Sequence, residues 1–240
     1  MIKYPYYDTI ATRWHAITGR RGGAFKELIL NDALLSAMPG IAGKTLLEIG
    51  CGNGYFMPLL LRRFSGQVPN ALYRTDVSQA QLKMAEKQFP IEACRYEILD
   101  VYRPFPAALP PADLIFSSMV YNEVGAPGLQ NGIRESARLL SDDGLIVTCV
   151  LHPLFIQKQQ ERGVLRKKGN VWLLPGAEGL ELPVVPRSLE QYRAVFEANR
   201  LTFETQEIYG NEQLYKVKPK LRELKDVPVA LLVRSRKKQI

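Results

Sequence analysis

Apolar residues in this chain fall into short continuous runs, separated by polar stretches in which apolar positions recur at helical spacing. The runs at 44–49, 71–76, 91–99, 112–117 and 145–151 read as buried strands, and those at 201–208 and 227–233 as two closing strands. Between them, Phe56, Leu59, Leu60 and Phe64 mark one helix. Ser78 can cap a second helix running to Lys87, with Leu82 and Ala85 on its inner face. A third helix spans about 130–140 and ends in the turn signal Ser141-Asp142-Asp143-Gly144. Ser188 can cap a fourth over 189–199, with Glu190 and Gln191 early in it. Strands alternating with helices predict an α/β fold: a doubly wound, mostly parallel sheet with helices on both faces. Ligands in such sheets bind beyond the carboxyl ends of the strands, at the switch point of the topology.

The pattern breaks down between His152 and Arg187, where Pro, Gly and mixed charge replace regular spacing. A connection of that length is either a lid with short elements of its own or a disordered segment. Its Trp172 and interspersed leucines favour the lid.

The chemistry is concentrated where the first strand ends, at Leu46-Leu47-Glu48-Ile49-Gly50-Cys51-Gly52-Asn53-Gly54. Glycine at every second position lets the backbone turn sharply and brings the main chain close to a ligand. The spacing is GxGxG and not the GxGxxG of dinucleotide sites, where a diphosphate sits on a helix N-terminus. Glu48 would face such a diphosphate with like charge. It favours a ligand carrying an ammonium group, which points to S-adenosylmethionine.

On this motif the chain resembles the class I S-adenosylmethionine-dependent methyltransferases, of the small-molecule type. The resemblance is strong over 44–151 and looser at both ends. It implies a Rossmann-like sheet of seven strands with an antiparallel edge and a lid insertion after the fifth strand. It also implies one domain over 1–240: an N-terminal helical cap at 1–43, a cofactor-binding core at 44–151, the lid at 152–187, and a C-terminal helix with edge strands at 188–240. The cofactor is then S-adenosyl-L-methionine, left as S-adenosyl-L-homocysteine.

Several residues are candidates for holding it. Gly50, Cys51, Gly52 and Gly54 form the close-approach turn behind Glu48. Asp76 ends the second strand, where a carboxylate accepts hydrogen bonds from a ribose diol or caps the next helix. Val77 supplies an apolar face for adenine or simply packs in the core. By the resemblance, Asp100 and Val101 meet the adenine amino group and ring, and Ser117 ends the fourth strand beside the methionine portion. Tyr7-Asp8-Thr9-Ile10-Ala11 resembles a segment that closes over the cofactor in the family, with Tyr7 donating to its carboxylate. Packing of Tyr7 beside the first helix is the plain alternative.

His152 follows the fifth strand and is the candidate catalytic base, because an imidazole takes a proton near neutral pH. An imidazole bonded to backbone is the alternative. Tyr121, Asn122 and Glu123 are candidate groups facing the substrate. Family members with His-Pro after this strand share the stretch Arg187-Ser188-Leu189-Glu190-Gln191-Tyr192, but Pro186 stands where many carry a second histidine.

Composition narrows the partners. No run approaches the roughly 18 apolar residues that span a bilayer, and the start lacks a signal peptide, so a cytoplasmic protein without membrane attachment is expected. Cys51, Cys94 and Cys149 are far apart without CxxC pairing, and with only two histidines in the chain no metal is expected. The net charge of +8 gathers near the C-terminus and at 162–168. No nucleic-acid module accompanies it, so the expected partner is a small-molecule acceptor rather than nucleic acid, in a monomer or homodimer. An RNA or protein methyltransferase using the basic segment, or a non-catalytic binder of the cofactor, are the rival readings.

Overall fold

The computed structural model describes residues 5–169, 171–176 and 179–239. In chain order the strands are β1 (Thr45–Ile49), β2 (Ala71–Asp76), β3 (Cys94–Ile98), β4 (Ala112–Ser118), β5 (Leu140–Leu151), β6 (Arg166–Lys168), β7 (Val171–Pro175), β8 (Glu181–Val184), β9 (Glu204–Ile208) and β10 (Ala230–Ser235). The helices are α1 (Pro5–Thr18), α2 (Gly23–Phe25), α3 (Asn31–Ala37), α4 (Phe56–Arg63), α5 (Gln79–Gln88), α6 (Ala126–Leu139), α7 (Pro153–Glu161), α8 (Leu189–Ala198) and α9 (Glu212–Val217). A π-helical turn, Lys26–Leu30, joins α2 to α3, and a 3-10 helix, Pro219–Leu224, follows α9.

One sheet of seven strands runs in the order β3-β2-β1-β4-β5-β10-β9. Its first five strands are parallel, and β10 runs antiparallel to both of its neighbours. Side chains alternate across the sheet with the period of two that strand geometry imposes. Leu46, Leu114 and Val147 pack under α4 with Leu34 and Leu60. Leu47, Ile115 and Ile146 pack on the other face with Ile133 of α6 and Phe196 of α8. Each fully buried aliphatic side chain of this kind contributes roughly 1.5–3 kcal/mol. Chain order reverses between β1 and β4, so the switch point lies over the end of β1.

The capping serines do what their positions predict. Ser78 Oγ accepts from Gln81 N at 3.1 Å at the start of α5. Ser188 and Gln191 form a reciprocal box, with Ser188 N donating to Gln191 Oε1 at 2.8 Å.

Three boundaries differ from the sequence pattern. The turn expected at Ser141–Gly144 lies inside β5, because Leu140 pairs with Ala112 and Ser141 Oγ donates to Asp113 Oδ1 at 2.7 Å. A register shift between Ala112 and Leu114 absorbs the mismatch. β3 starts only at Cys94, and β9 only at Glu204, with Leu201 held in a lone bridge to Lys237. Residues 152–187 carry α7 and a second sheet, the antiparallel order β6-β7-β8. Among the described residues no helix is long and apolar enough to cross a membrane.

Candidate functional site

The carboxyl ends of β1, β2, β4 and β5 open into one cavity of about 1310 Å³. Its floor is made by Glu48–Gly52, Asp76–Val77, Asp100–Tyr102, Ser118–Val120 and Asn122–Gly125. α1 and the Gly22–Lys26 turn roof it, and parts of the 155–185 segment and of 217–221 form the far wall.

Beneath the floor lies a buried ion pair. Arg74 Nε donates to Glu48 Oε2 at 3.2 Å, and neither side chain is exposed by more than 6%. Arg74 Nη1 donates to Phe89 O at 3.2 Å, and Nη2 to the carbonyl of Gly54. Burial pushes the Glu48 carboxyl up to about 7, with Arg74 pulling the other way. Glu48 faces the cavity with its charge already compensated from behind. The free anion that the sequence suggests ahead of the glycines is therefore corrected to one half of a pair.

The three motif glycines divide by task. Gly50 has φ +72°, and a Cβ there would collide with Val120. Gly52, with φ +53°, meets only Trp14 Nε1 at 3.5 Å, so its surface stays open towards the cavity. Gly54 is not part of the lining. It has φ +86° and makes room for Arg74 and Ala85, so it is a packing glycine.

Asp76 ties the second strand to the loop: its Oδ2 accepts from Gly52 N at 2.8 Å and its Oδ1 from Ser78 N at 2.9 Å. Desolvation raises its pKa, and those backbone donors oppose the rise. Asp100 Oδ1 accepts from Tyr102 N at 2.8 Å. Above them, Asp8 Oδ1 accepts from Ser78 Oγ at 2.6 Å and from Ala80 N at 3.0 Å. Tyr7 donates to Glu123 Oε2 on the other side. α1 thus crosses the crevice with a fastening on each bank. Burial pushes the Glu123 carboxyl up to about 8, while the Tyr7 hydrogen bond and Lys26 pull it down.

A family model described as "Methyltransferase domain" matches residues 47–148. An uncharacterized protein of Haemophilus influenzae is 30% identical over 139 residues, 55% of this chain and 51% of its own length. A tRNA U34 carboxymethyltransferase of Ectopseudomonas mendocina is 25% identical over 169 residues, 65% of this chain and 48% of its own. The chain spans about half the length of the curated relatives it matches. An S-adenosylmethionine dependent methyltransferase from Mesorhizobium loti has the same fold, with a TM-score of 0.65 at 19% identity over 86% of this chain and 96% of that one. Residues 47–148 thus match a methyltransferase domain, on a fold shared with S-adenosylmethionine-dependent methyltransferases.

The residues of the cavity fit S-adenosylmethionine. Buried and unpartnered polar atoms lie among the lining residues: both amide atoms of Gln81 and the Ser118 hydroxyl. Such groups are costly unless a ligand or water completes them. The acidic strand end at Asp76 keeps lone pairs free for hydroxyl donors, and Gly52 leaves room for close approach.

Of the residues singled out from sequence, Tyr7, Glu48, Gly50, Cys51, Gly52, Asp76, Val77, Asp100, Val101 and Asn122 all line the cavity. Four do not. Besides Gly54, Ser117 is turned inward by strand alternation and shares a 3.1 Å hydrogen bond with Thr148, leaving Ser118 towards the cavity. Tyr121 is 1% exposed and packs on Gly132, and its carbonyl, not its phenol, is what Arg187 Nη1 holds at 2.7 Å.

His152 is the largest correction. It is the N-cap of α7, its Nδ1 accepting from Leu154 N at 3.1 Å, and Nε2 lies 3.4 Å from Glu207 on β9. β5 ends with Leu151 towards the cavity, so the next residue points away. Burial lowers the pKa of His152. The group that sequence reading passed over is Lys26, which lines the cavity from the π-helical turn. The available signal was a single lysine between Ala24-Phe25 and Leu28-Ile29-Leu30, just after the Gly22-Gly23 pair.

Proposed function

We propose that this methyltransferase moves a methyl group from S-adenosylmethionine to an oxygen or nitrogen of a small-molecule acceptor. The observation that carries the reading is one continuous cavity with two chemically different ends. The strand ends bring Glu48, Asp76 and Asp100 together, and the far wall brings Phe155, Leu174, Leu182 and Val184. At about 1310 Å³ the cavity exceeds the roughly 300–1,000 Å³ typical of a single ligand, leaving space for cofactor and acceptor together.

In this reading Asp76 receives the ribose hydroxyls, Gly50 and Gly52 give the main chain close access, and Asp100 with Val101 holds the adenine. Glu48, Cys51, Val77 and Tyr7 complete that end, and Asn122 faces the acceptor. When bound, S-adenosylmethionine supplies a methyl group already activated on a sulfonium. The chain's own work is placement, which supplies up to roughly 7–11 kcal/mol of barrier reduction. α7 and the β6-β7-β8 sheet act as the lid that excludes water from the acceptor end. Glu123 takes the place first given to His152: as carboxylate it accepts the proton of an acceptor O–H or N–H, and the Tyr7 hydroxyl orients it.

A second reading has an RNA acceptor, because a curated relative is a tRNA U34 carboxymethyltransferase. Part of the basic C-terminal charge argues against it, being committed inside the chain. Arg222 pairs with Glu212 at 2.7 Å, Lys237 with Asp142 at 3.0 Å, and Arg236 Nη1 donates to the Asp143 carbonyl at 2.9 Å. Calorimetry with adenosylmethionine, adenosylhomocysteine and NAD tests the cofactor, with micromolar binding expected for the first two and none for NAD. A labelled-methyl screen over metabolites and tRNA then tests the acceptor. Label entering tRNA alone would exclude the small-molecule reading.

A further inference from the structure

Lys26 is a buried charged group of the cavity that the methyl-transfer reading leaves without a task. Among the described residues, no carboxylate or carbonyl lies within hydrogen-bonding distance of its Nζ. The ammonium is held instead over two rings, 5.7 Å from the centroid of Trp14 and 5.5 Å from that of Tyr55. Cation–π contacts replace part of the lost hydration but supply no acceptor for the three N–H bonds. Desolvation accordingly lowers its pKa, opposed first by the charge of Glu123. A desolvated cation with no hydrogen-bonded anion costs several kcal/mol unless something completes it. The π-helical turn that presents Lys26 is a local irregularity of the kind that proteins keep at functional sites.

The surroundings extend the same sign of charge. α9 packs against this turn, and Asn211 Nδ2 fastens the two by donating to Leu28 O at 3.0 Å. Lys218 and Lys220 follow α9 directly and also line the cavity. Neither has an ion pair among the described residues. Arg162, on the same rim, is already committed to Glu223 at 2.6 Å. Between these cations the wall is apolar: Phe25, Phe155, Leu174, Leu182, Val217 and Leu221. The carboxylates of Glu48, Asp76 and Asp100 lie at the strand termini, and that of Glu123, whose charge acts on Lys26, follows β4.

We propose that the acceptor is an amphipathic acid, an apolar body bearing a carboxylate or phosphate that Lys26 receives inside the cavity and that Lys218 and Lys220 attract at its rim. This deepens the methyl-transfer reading and rests on it. A cationic acceptor would meet like charge at this end, and a neutral one would leave the Lys26 ammonium uncompleted.

The test uses the full chain saturated with adenosylhomocysteine and four probes that share one tail: octanoate, octyl phosphate, octan-1-ol and octylamine. Calorimetry should give binding of at least one of the two acids, at least tenfold tighter than the alcohol, with the amine weakest. Whichever acid is tighter identifies the headgroup. Lys26→Met should cut the acid's advantage over the alcohol at least tenfold, and Lys26→Arg should keep it. Binding of octan-1-ol or octylamine equal to the acids overturns the proposal in the wild-type protein, without reference to any variant. So does a Lys26→Met protein that loses adenosylhomocysteine but keeps its preference for acids, since Lys26 would then serve the cofactor. Tight, steeply salt-dependent binding of unfractionated tRNA with no binding of either acid overturns it as well. If adenosylhomocysteine itself fails to bind, the methyl-transfer reading falls. The four probes can still be ranked on the protein alone.

Discussion

The phenol of Tyr7 donates to the carboxylate of Glu123, joining the first helix to the loop after β4 across 116 residues of chain. The bond lies on the cavity surface and holds a carboxyl that burial has raised to about 8. A base with that midpoint is mostly protonated at pH 7. Methyl transfer to an acceptor that holds its proton is therefore expected to rise as pH passes through about 8. Tyr7→Phe removes a hydrogen bond that favours the carboxylate, so it should move the midpoint upward. A pH–rate profile of both proteins checks this, and coincident midpoints would count against Glu123 as the base.

Stability should respond to the same groups. Glu48 and Glu123 have folded-state values raised above those of an unfolded chain, to about 7 and about 8. Protons are then bound more tightly by the folded protein, and their contribution is full below the ordinary carboxylate range near 4.5. It is lost as pH rises through about 7 to 8. Chemical denaturation across that window should show falling stability. Glu123→Gln should flatten the slope by up to about 1.4 kcal/mol per pH unit.

Arg74 and Glu48 are a buried pair, so cutting one side is worse than cutting both. Arg74→Met should destabilise by about 3–5 kcal/mol, by leaving a carboxyl unpaired under the sheet. The double variant with Glu48→Leu should recover much of that loss. Urea titration of the three proteins gives the coupling directly, and additive losses would contradict the pairing.

Gly52 and Gly54 should separate in the same experiment. Gly54→Ala forces a Cβ into Arg74 and Ala85 at positive φ and should cost at least about 2 kcal/mol of stability. Gly52→Ala meets only Trp14 Nε1 at 3.5 Å, so beyond the strain of its positive φ its effect should fall on adenosylhomocysteine affinity. Asp76→Ala should weaken the same ligand at least tenfold, roughly 1.4 kcal/mol.

His152→Ala is expected to keep the transfer rate within about threefold while losing about 1 kcal/mol of stability with the cap of α7. Thermal melting and initial rates read the two effects separately. A rate falling a hundredfold would restore the histidine to the reaction.

What sequence made legible follows from where the information is local. A strand such as Leu46–Ile49, buried on both faces, announces itself as a continuous apolar run, and Ser78 and Ser188 mark helix starts that do not depend on distant residues. The glycine turn and Asp76 are local to strand ends, and the parallel topology turns all strand ends towards one crevice. His152 misled because a residue after a strand points up or down by one step of register, and nothing in the chain records which. Ser117 and Ser118 differ by that same step. Glu48 read as a free anion because its partner Arg74 is on another strand, paired with it only by the β1–β2 register. Lys26 was invisible for a related reason: its aromatic partners come from α1 and from the glycine turn, and its lack of a contact ion pair is a fact of three dimensions.

The fastening of α1 at Tyr7 and Asp8 has a kinetic consequence. With the helix pinned on both banks, a ligand beneath it leaves only when those bonds let go, so escape and helix lifting become one event. Throughput would then be paced by the dwell time of the spent nucleoside rather than by bond making. Weakening the Asp8 pin, which leaves the base untouched, would quicken turnover at the expense of grip.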